Sequence, residues 1–354
     1  MMPEHEGTKM ANNTYCATPK LDGPGWNRKL AGYRRPDTWR ASLEIAITII
    51  PFALAWFLMY QALSHGHAWL YALLLLPSAG LLVRLFLIQH DCGHHAFFAN
   101  RSVNDWIGRA ISVLTLTPYD YWRRTHALHH ATSGNLGRRG IGDVDTLTVA
   151  EYRARTPRGR LRYRIYRHPI VMFGVGPAYL FLLQHRLPMG MMREGWRPWL
   201  STIGTTVAFA IGAGALIGAI GVKAFLLVHV PIFLIGAAAG VWLFYVQHQF
   251  EETYWESGEN WNVREAALHG SSHYDLPPIL RWFTANIGVH HVHHLCSRIP
   301  YYRLQDVLRD VPELRDVSHL RLWPSLKCAR LVLWDEASRR LVSFRQLRGI
   351  ATPV

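Results

Sequence analysis

Carboxylates are scarce where the histidines of this chain crowd together, and cysteines are scarce throughout. The 354 residues hold 24 Asp and Glu against 38 Lys and Arg, with 20 His and only four Cys. Cys16, Cys92, Cys296 and Cys328 show no pairing pattern and no CxxC spacing. That argues against a disulfide framework or a cysteine-built zinc site, and for small, packed, reduced thiols. No glycine-rich phosphate fingerprint follows a strand pattern, so a nucleotide fold is absent from the expectation. The basic residues are spread over segments flanking apolar runs and carry no nucleic-acid motif, which disfavours a nucleic-acid partner. No signal-peptide pattern opens the chain; residues 1–40 are polar and basic.

Long apolar runs, by contrast, are plentiful. Residues 41–63, 68–89, 199–221 and 224–247 each reach about 20 residues, enough to cross a bilayer as a helix. Hydrocarbon offers the backbone no hydrogen-bond partner, so a helix is the required form. The joining turns at 64–67 and 222–223 are very short, which makes two hairpins. Residues 1–40 carry seven Lys and Arg, whereas the two turns carry only Lys223. By the positive-inside rule both termini and the long middle segment are cytoplasmic. Residues 106–122 and 169–187 are apolar, but the second is broken by Gly174, Gly176 and Pro177. Both are expected to lie along the interface and to surround the site with apolar surface. The predicted fold is all-α and integral to a membrane: four transmembrane helices in two hairpins, interfacial helices, and a cytoplasmic histidine-rich cap. Residues 1–40 form a partly disordered N-terminal segment, 41–310 the membrane domain, and 311–354 a cytoplasmic C-terminal segment of mixed helix and strand pattern. The net charge of +14 suits anionic lipid headgroups and also an acidic electron-transfer partner.

Half of the histidines lie in three windows: His90-Asp91-Cys92-Gly93-His94-His95, His126-Ala127-Leu128-His129-His130 and His290-His291-Val292-His293-His294. On a helix, His90 and His94 share a face, as do His126, His129 and His130, and as do His290, His293 and His294. Eight imidazoles exceed the three or four ligands of a zinc site. No carboxylate repeats at ligand spacing, unlike the Glu-x-x-His pattern of soluble di-metal bundles; Asp91 is a lone neighbour of His90. The pattern asks for two metal ions held almost wholly by neutral nitrogen, and imidazole suits iron, zinc, copper and nickel alike. All three windows fall on the same side of the membrane. His5, His65, His67, His168, His185, His229 and His319 stand alone and read as packing or surface residues.

The segments HDCGHHAFF, HALHH and HHVHH, ordered around two hairpins, resemble the three histidine boxes of integral-membrane fatty acid desaturases. Residues 131–152, 245–255 and 270–295 resemble the bacterial acyl-lipid branch, of Δ12 (omega-6) or Δ5 type. The likeness covers roughly residues 40–310. It implies a di-iron oxidoreductase of a bacterial inner membrane that uses O2 and two electrons to take two hydrogens from an acyl chain. Carried over by motif, the ligands are His90, His94, His126, His129, His130, His290, His293 and His294, with His248 as the ninth. His95, His291 and Asn286 are expected behind the ligands, in supporting roles. In acyl-CoA relatives an asparagine stands one turn before the equivalent of His248; here Phe244 does. The sequence Arg167-His168-Pro169 lacks the glycines of a fused cytochrome b5, so a separate ferredoxin or cytochrome b5-like donor with its reductase is implied. Trp122, Phe97, Phe98, Trp282 and Phe283 are candidates to line the acyl channel or simply to pack. A fatty acyl hydroxylase shares the scaffold and is the alternative outcome, with a carotenoid or sterol oxygenase behind it. A metal transporter is disfavoured, because the boxes lie beyond the helix ends rather than at the bilayer midplane.

Overall fold

The computed structural model describes residues 25–140 and 142–350. His5, Cys16 and most of the segment expected to be disordered lie outside the described residues. After a short helix α1 (Trp26–Leu30), helices α2 (Thr38–Ser64) and α3 (Ala68–Gly93) form the first hairpin. Then come α4 (Arg101–Thr115), α5 (Tyr119–Thr132), α6 (Val149–Ala154), α7 (Pro157–Tyr166) and α8 (Gly176–Leu182). The second hairpin is α9 (Trp196–Ile220) and α10 (Val222–His248), followed by α11 (Val263–His269), α12 (Pro278–Phe283) and α13 (His290–Leu295).

Among the described residues, α2, α3, α9 and α10 are the helices long and apolar enough to cross a membrane. They contain the four expected apolar runs to within a few residues. Half of the most apolar window of α3 is buried, against 6% for α9, so α3 is interior and α9 is the outermost, lipid-facing helix. Asp37 starts α2 by accepting the Arg40 backbone N–H, which satisfies one of the orphan donors of a helix start. α3 and α10 approach closely at Gly236, where a Cβ would stand 3.2 Å from Leu82 and 3.3 Å from the Ala79 carbonyl. Their C-terminal ends lie at the same end of the bundle, carrying His90 and His248 there.

The stretch 106–122, expected as one interfacial element, is divided. Leu116 takes a left-handed conformation (φ 51°), and Pro118 precedes α5. Proline has no N–H to donate and disfavours helix at the residue before it. α5 is thereby re-aimed, and the ring of Tyr119 packs over Gly108, where a Cβ would lie 2.2 Å from it. The stretch 169–187 is short and broken: a π-turn at Val171–Val175, then α8, then a 3-10 turn at Gln184–Arg186. It buries Met172 and Pro177 and packs on α10.

Strand is minor. β1 (Leu147–Thr148), β2 (His273–Asp275), β3 (His319–Arg321), β4 (Leu333–Asp335) and β5 (Arg340–Val342) form two small sheets, ordered β1-β4-β5 and β2-β3. They stitch the last forty or so residues into the cap: β3 pairs with β2 just before the third box, and β4 pairs with β1. Leu314, Cys328, Leu331 and Leu341 from this segment are buried in the main core. Cys92, Cys296 and Cys328 are free and buried.

A charged pair sits among the spans. Glu44 of α2 and Arg84 of α3 are both almost fully buried and bonded to each other. Glu44 also accepts from Arg40 at 2.8 Å and from the Tyr301 hydroxyl at 3.2 Å. Arg84 donates to Thr48 at 3.1 Å and to the Trp282 carbonyl, and lies 4.3 Å from the centre of the Trp282 ring. The pair joins both helices of the first hairpin to the C-terminal half. Removing one partner of such a pair strands the other charge. Arg84→Met is therefore expected to destabilise by about 3–5 kcal/mol, and Glu44→Gln with Arg84→Met together by much less. Unfolding temperatures in detergent would read this, and an equal loss in single and double variants would refute it.

Candidate metal centre

Three helix segments and one helix end build the site. α3 supplies His90 and, at its C-cap, His94; α5 supplies His126, His129 and His130; α10 ends on His248; α13 supplies His290, His293 and His294. Their ring nitrogens assemble into two groups. One contains His90, His94, His126, His130 and His293, the other His129, His248, His290 and His294, and within each group the nitrogens lie within 4.8 Å of one another. These are the nine residues expected as ligands. The groups adjoin, since the His130 ring stacks on His294 with centroids 4.1 Å apart.

The spacing has chemical content. The Nε2 atom of His126 is 3.0 Å from that of His90, 3.1 Å from that of His94 and 3.1 Å from that of His130. In the second group the His129–His248, His248–His290 and His294–His290 separations are 3.1, 3.0 and 3.1 Å. One imidazole nitrogen carries either one proton or one lone pair, so His126 cannot hydrogen-bond three such neighbours. A cation at the centre can satisfy all of them. With nitrogen ligands about 2.1 Å from an ion, two at a right angle stand about 3 Å apart, which matches these edges. The residues present thus fit two metal ions.

The far nitrogens show how the rings are aimed. His90 Nδ1 lies 3.1 Å from Asp91 Oδ1, His129 Nδ1 bonds Asp143, and His248 Nδ1 lies 3.0 Å from the Gly270 carbonyl. An N–H donated outward fixes the tautomer and turns the Nε2 lone pair inward. The Nδ1 atoms of His290 and His293 are buried without a hydrogen-bond partner. Trp122 stacks on His126 at 4.5 Å, and Phe244 packs 5.1 Å from His129 and 5.3 Å from His248. Phe244 therefore walls the second group with an apolar ring.

Burial, followed by the proximity of other imidazoles, holds His94, His126, His130, His290, His293 and His294 well below the ordinary imidazole range. His94, His130 and His294 keep partial surface exposure, but their rings face the interior cluster, where burial remains the larger cause. All six are neutral, as ligation requires.

The residues expected behind the ligands lie elsewhere. His95, at φ 52°, faces Asp105 (2.9 Å) and Arg123 (2.8 Å) rather than a ligating ring. His291 meets the Leu314 carbonyl at 2.8 Å and anchors the C-terminal segment. Asn286, also left-handed (φ 55°), shapes the turn into α13, its carbonyl accepting from the Val289 N–H at 3.0 Å. The supporting roles fall instead to Asp143, Asp91 and the Gly270 carbonyl. Asp143 was legible only as a carboxylate in a glycine-rich stretch of an acid-poor chain. Gly142 (φ 71°) brings it close, since a Cβ there would meet the Thr125 carbonyl at 3.1 Å. Of the candidate channel aromatics, Phe97 and Phe98 are buried core residues, and Phe283 packs on Gly80 of α3. His229 stacks on Phe225 as a packing residue.

Comparison with known proteins agrees with this geometry. Residues 67–325 match the family model described as fatty acid desaturase. The chain is 43% identical over 323 residues to the fatty acid desaturase of Bacillus subtilis, covering 91% of each chain. It is 29% identical over 229 residues to the sn-1 oleoyl-lipid 12-desaturase of a Synechocystis species, covering 63% of each. It is 27% identical over 260 residues to the sn-1 acyl-lipid omega-3 desaturase (ferredoxin) of Synechocystis, covering 70% of this chain and 68% of the other.

Two outcomes are expected. Asp143→Asn should weaken metal binding at the second group by about 10–100-fold, leaving the first group loaded. Metal content after graded chelation would show this as loss of half the metal, and unchanged retention would refute the role of Asp143. The pH response has a definite sign. Unfolded histidines take up protons near pH 6.5, whereas the six named here stay neutral in the folded state. The metal-free fold should therefore lose stability as pH falls below about 6.5. Thermal unfolding of the metal-free protein at a series of pH values would show this, and a midpoint unchanged on acidification through about pH 6.5 would contradict it.

Proposed function

The chain belongs to the fatty acid desaturase family, and we propose that it inserts a double bond into the acyl chains of membrane lipids at a di-iron centre, with a Δ12/omega-6-like preference. The observation that carries this reading is the sorting of nine imidazoles into adjoining groups of five and four. Neutral ligands leave the full charge on the ions, which favours an oxidising site. Iron bound there would supply O2 activation and accept two electrons from a donor. Atoms and electrons then balance: two protons and two electrons, together two hydrogen atoms, leave a CH2–CH2 unit, a donor adds two electrons, two further protons are taken up, and O2 becomes two waters.

The chain's own residues hold and shield this chemistry. Asp91, Asp143 and the Gly270 carbonyl fix three ligand rings from behind, and Trp122 and Phe244 pack against ligand rings and keep water away. An unactivated methylene offers no polar handle, so position along the chain must be set by shape. The acyl-lipid class and the Δ12 preference draw support from the Synechocystis relatives named for oleoyl-lipid and acyl-lipid substrates. The donor is read as a separate ferredoxin or cytochrome b5-like protein with its reductase. The histidine end of the bundle is read as cytoplasmic, in a bacterial inner membrane, from the basic residues that flank it and the single Lys223 in the opposite turns.

Fatty acid profiling by gas chromatography and mass spectrometry tests the proposal in a host that makes only saturated and monounsaturated acids. A new double bond is expected from the native chain and none from His129→Ala, with equal protein levels in the membrane. A product heavier by one oxygen would select a hydroxylase instead, and an unchanged profile from an iron-loaded protein supplied with a donor would overturn the acyl-lipid reading.

A further inference from the structure

From Tyr152 through Arg193 the chain has no acidic residue and nine arginines, Arg193 included. Four of them, Arg158, Arg160, Arg162 and Arg164, are on α7. Successive helix residues turn by about 100°, which arranges α7 simply. Tyr163 points inward, buried and bonded to the Val332 carbonyl at 2.6 Å. Leu161 and Ile165 form an outward ridge, 58% and 54% exposed. Arg158 and Arg162 flank this ridge on one side, Arg160 and Arg164 on the other. Arg164 is held by the Tyr152 hydroxyl at 2.7 Å and lies over Phe344. Beside it, a groove of about 450 Å³ is lined by Arg160, Leu161 and Arg164 among others. Among the described residues, no carboxylate pairs with Arg158, Arg160 or Arg162.

The neighbouring chain fixes the level of this helix. Ile170, Val175, Tyr179 and Leu183 are 53–70% exposed. Their spacings of five, four and four stay on one face because the π-turn at Val171–Val175 absorbs the extra residue. This apolar stripe belongs to a segment packed on the spanning helix α10. α7 thus sits where hydrocarbon gives way to headgroups.

We propose that α7 is a binding surface for the phosphates of anionic phospholipids in the surrounding bilayer. An aliphatic ridge between two arginine rows fits that layer: the ridge dips below the phosphates and the guanidiniums reach up to them. An acidic protein would leave Leu161 and Ile165 facing charge. The consequence reaches the site through Arg167, which follows α7. It is buried and donates to the Asp145 carbonyl and the Thr146 hydroxyl, both at 3.0 Å, in the loop that carries Asp143. Lipid held on α7 would steady that loop. The proposal rests on the membrane reading of α9 and α10 and not on the metal chemistry, so its failure would leave the desaturase reading intact.

The test uses the full chain in nanodiscs of phosphatidylcholine alone and of phosphatidylcholine mixed with phosphatidylglycerol. Hydrogen exchange is followed by mass spectrometry at low and high salt. The amides of residues 157–166 should exchange more slowly with phosphatidylglycerol present, and salt should remove the difference. Substituting Arg158, Arg160 and Arg162 by Gln should abolish it while protection of α3 and α10 stays unchanged. Phosphatidylglycerol co-purified in detergent should fall by about fivefold or more per arginine removed. Equal exchange in the two bilayers, or a lipid effect that survives the triple substitution, would overturn the proposal. Protection appearing only on addition of an acidic soluble protein would also overturn it and give the surface to a protein partner.

Discussion

Nine imidazole lone pairs converge on two points, and the rest of the structure is arranged around that convergence. Imidazole nitrogens crowded this closely gain little from apolar burial and cannot all satisfy one another by hydrogen bonds. Metal ions would give the arrangement a free-energy reason, and each helix that bears one of these rings must end or turn at the right place. α3 and α10 deliver ligands at their C-terminal ends, where the last turn meets the cap. α5 and α13 run through the cap itself and contribute to both groups.

How the boxes are shared is less obvious than their presence. His126 and His130 go to one group while His129, between them on the same helix, goes to the other. Likewise His290 and His294 stay together and His293 crosses over. α5 and α13 each place an i, i+4 pair in one group and a single ring in the other, so helix geometry sets how far apart the two groups stand. The carboxylates missing from ligand positions appear one layer further out. Asp91 holds His90 and also accepts the Tyr301 N–H at 2.6 Å, and the Tyr301 hydroxyl reaches Glu44. The charged pair between α2 and α3 is thus connected through Tyr301 and Asp91 to His90 of the first group.

The membrane half and the cap are not separable layers. The C-terminal segment returns under the site through β3 and β4, and His291, although inside a box, serves that return by binding the Leu314 carbonyl. The broken segment after α7 keeps an apolar face outward and a packed face on α10. This allows a stretch too short to span to hold a fixed place beside the helices that do.

The four spans and the boxes were legible in the sequence because each rests on a local rule. A run of about 20 apolar residues must be helical in lipid, and imidazoles three and four apart must share a helical face. The ninth clustered ring, His248, has no such local partner and is reached only through resemblance to the desaturases. Helical spacing also could not show that the second and third boxes divide between two groups while the first stays whole, since that depends on where the facing helices sit. Which groups stand behind the clustered rings was hidden for the same reason. His95 and His291 are adjacent to ligands in the chain but face away from them, while Asp143 and Gly270, far along the chain, are brought to ligand nitrogens by loop packing. Periodicity within one helix determined which side chains point together; only the packing of α3, α5, α10 and α13 decided which nitrogens meet, because a shared centre is a property of several helices at once.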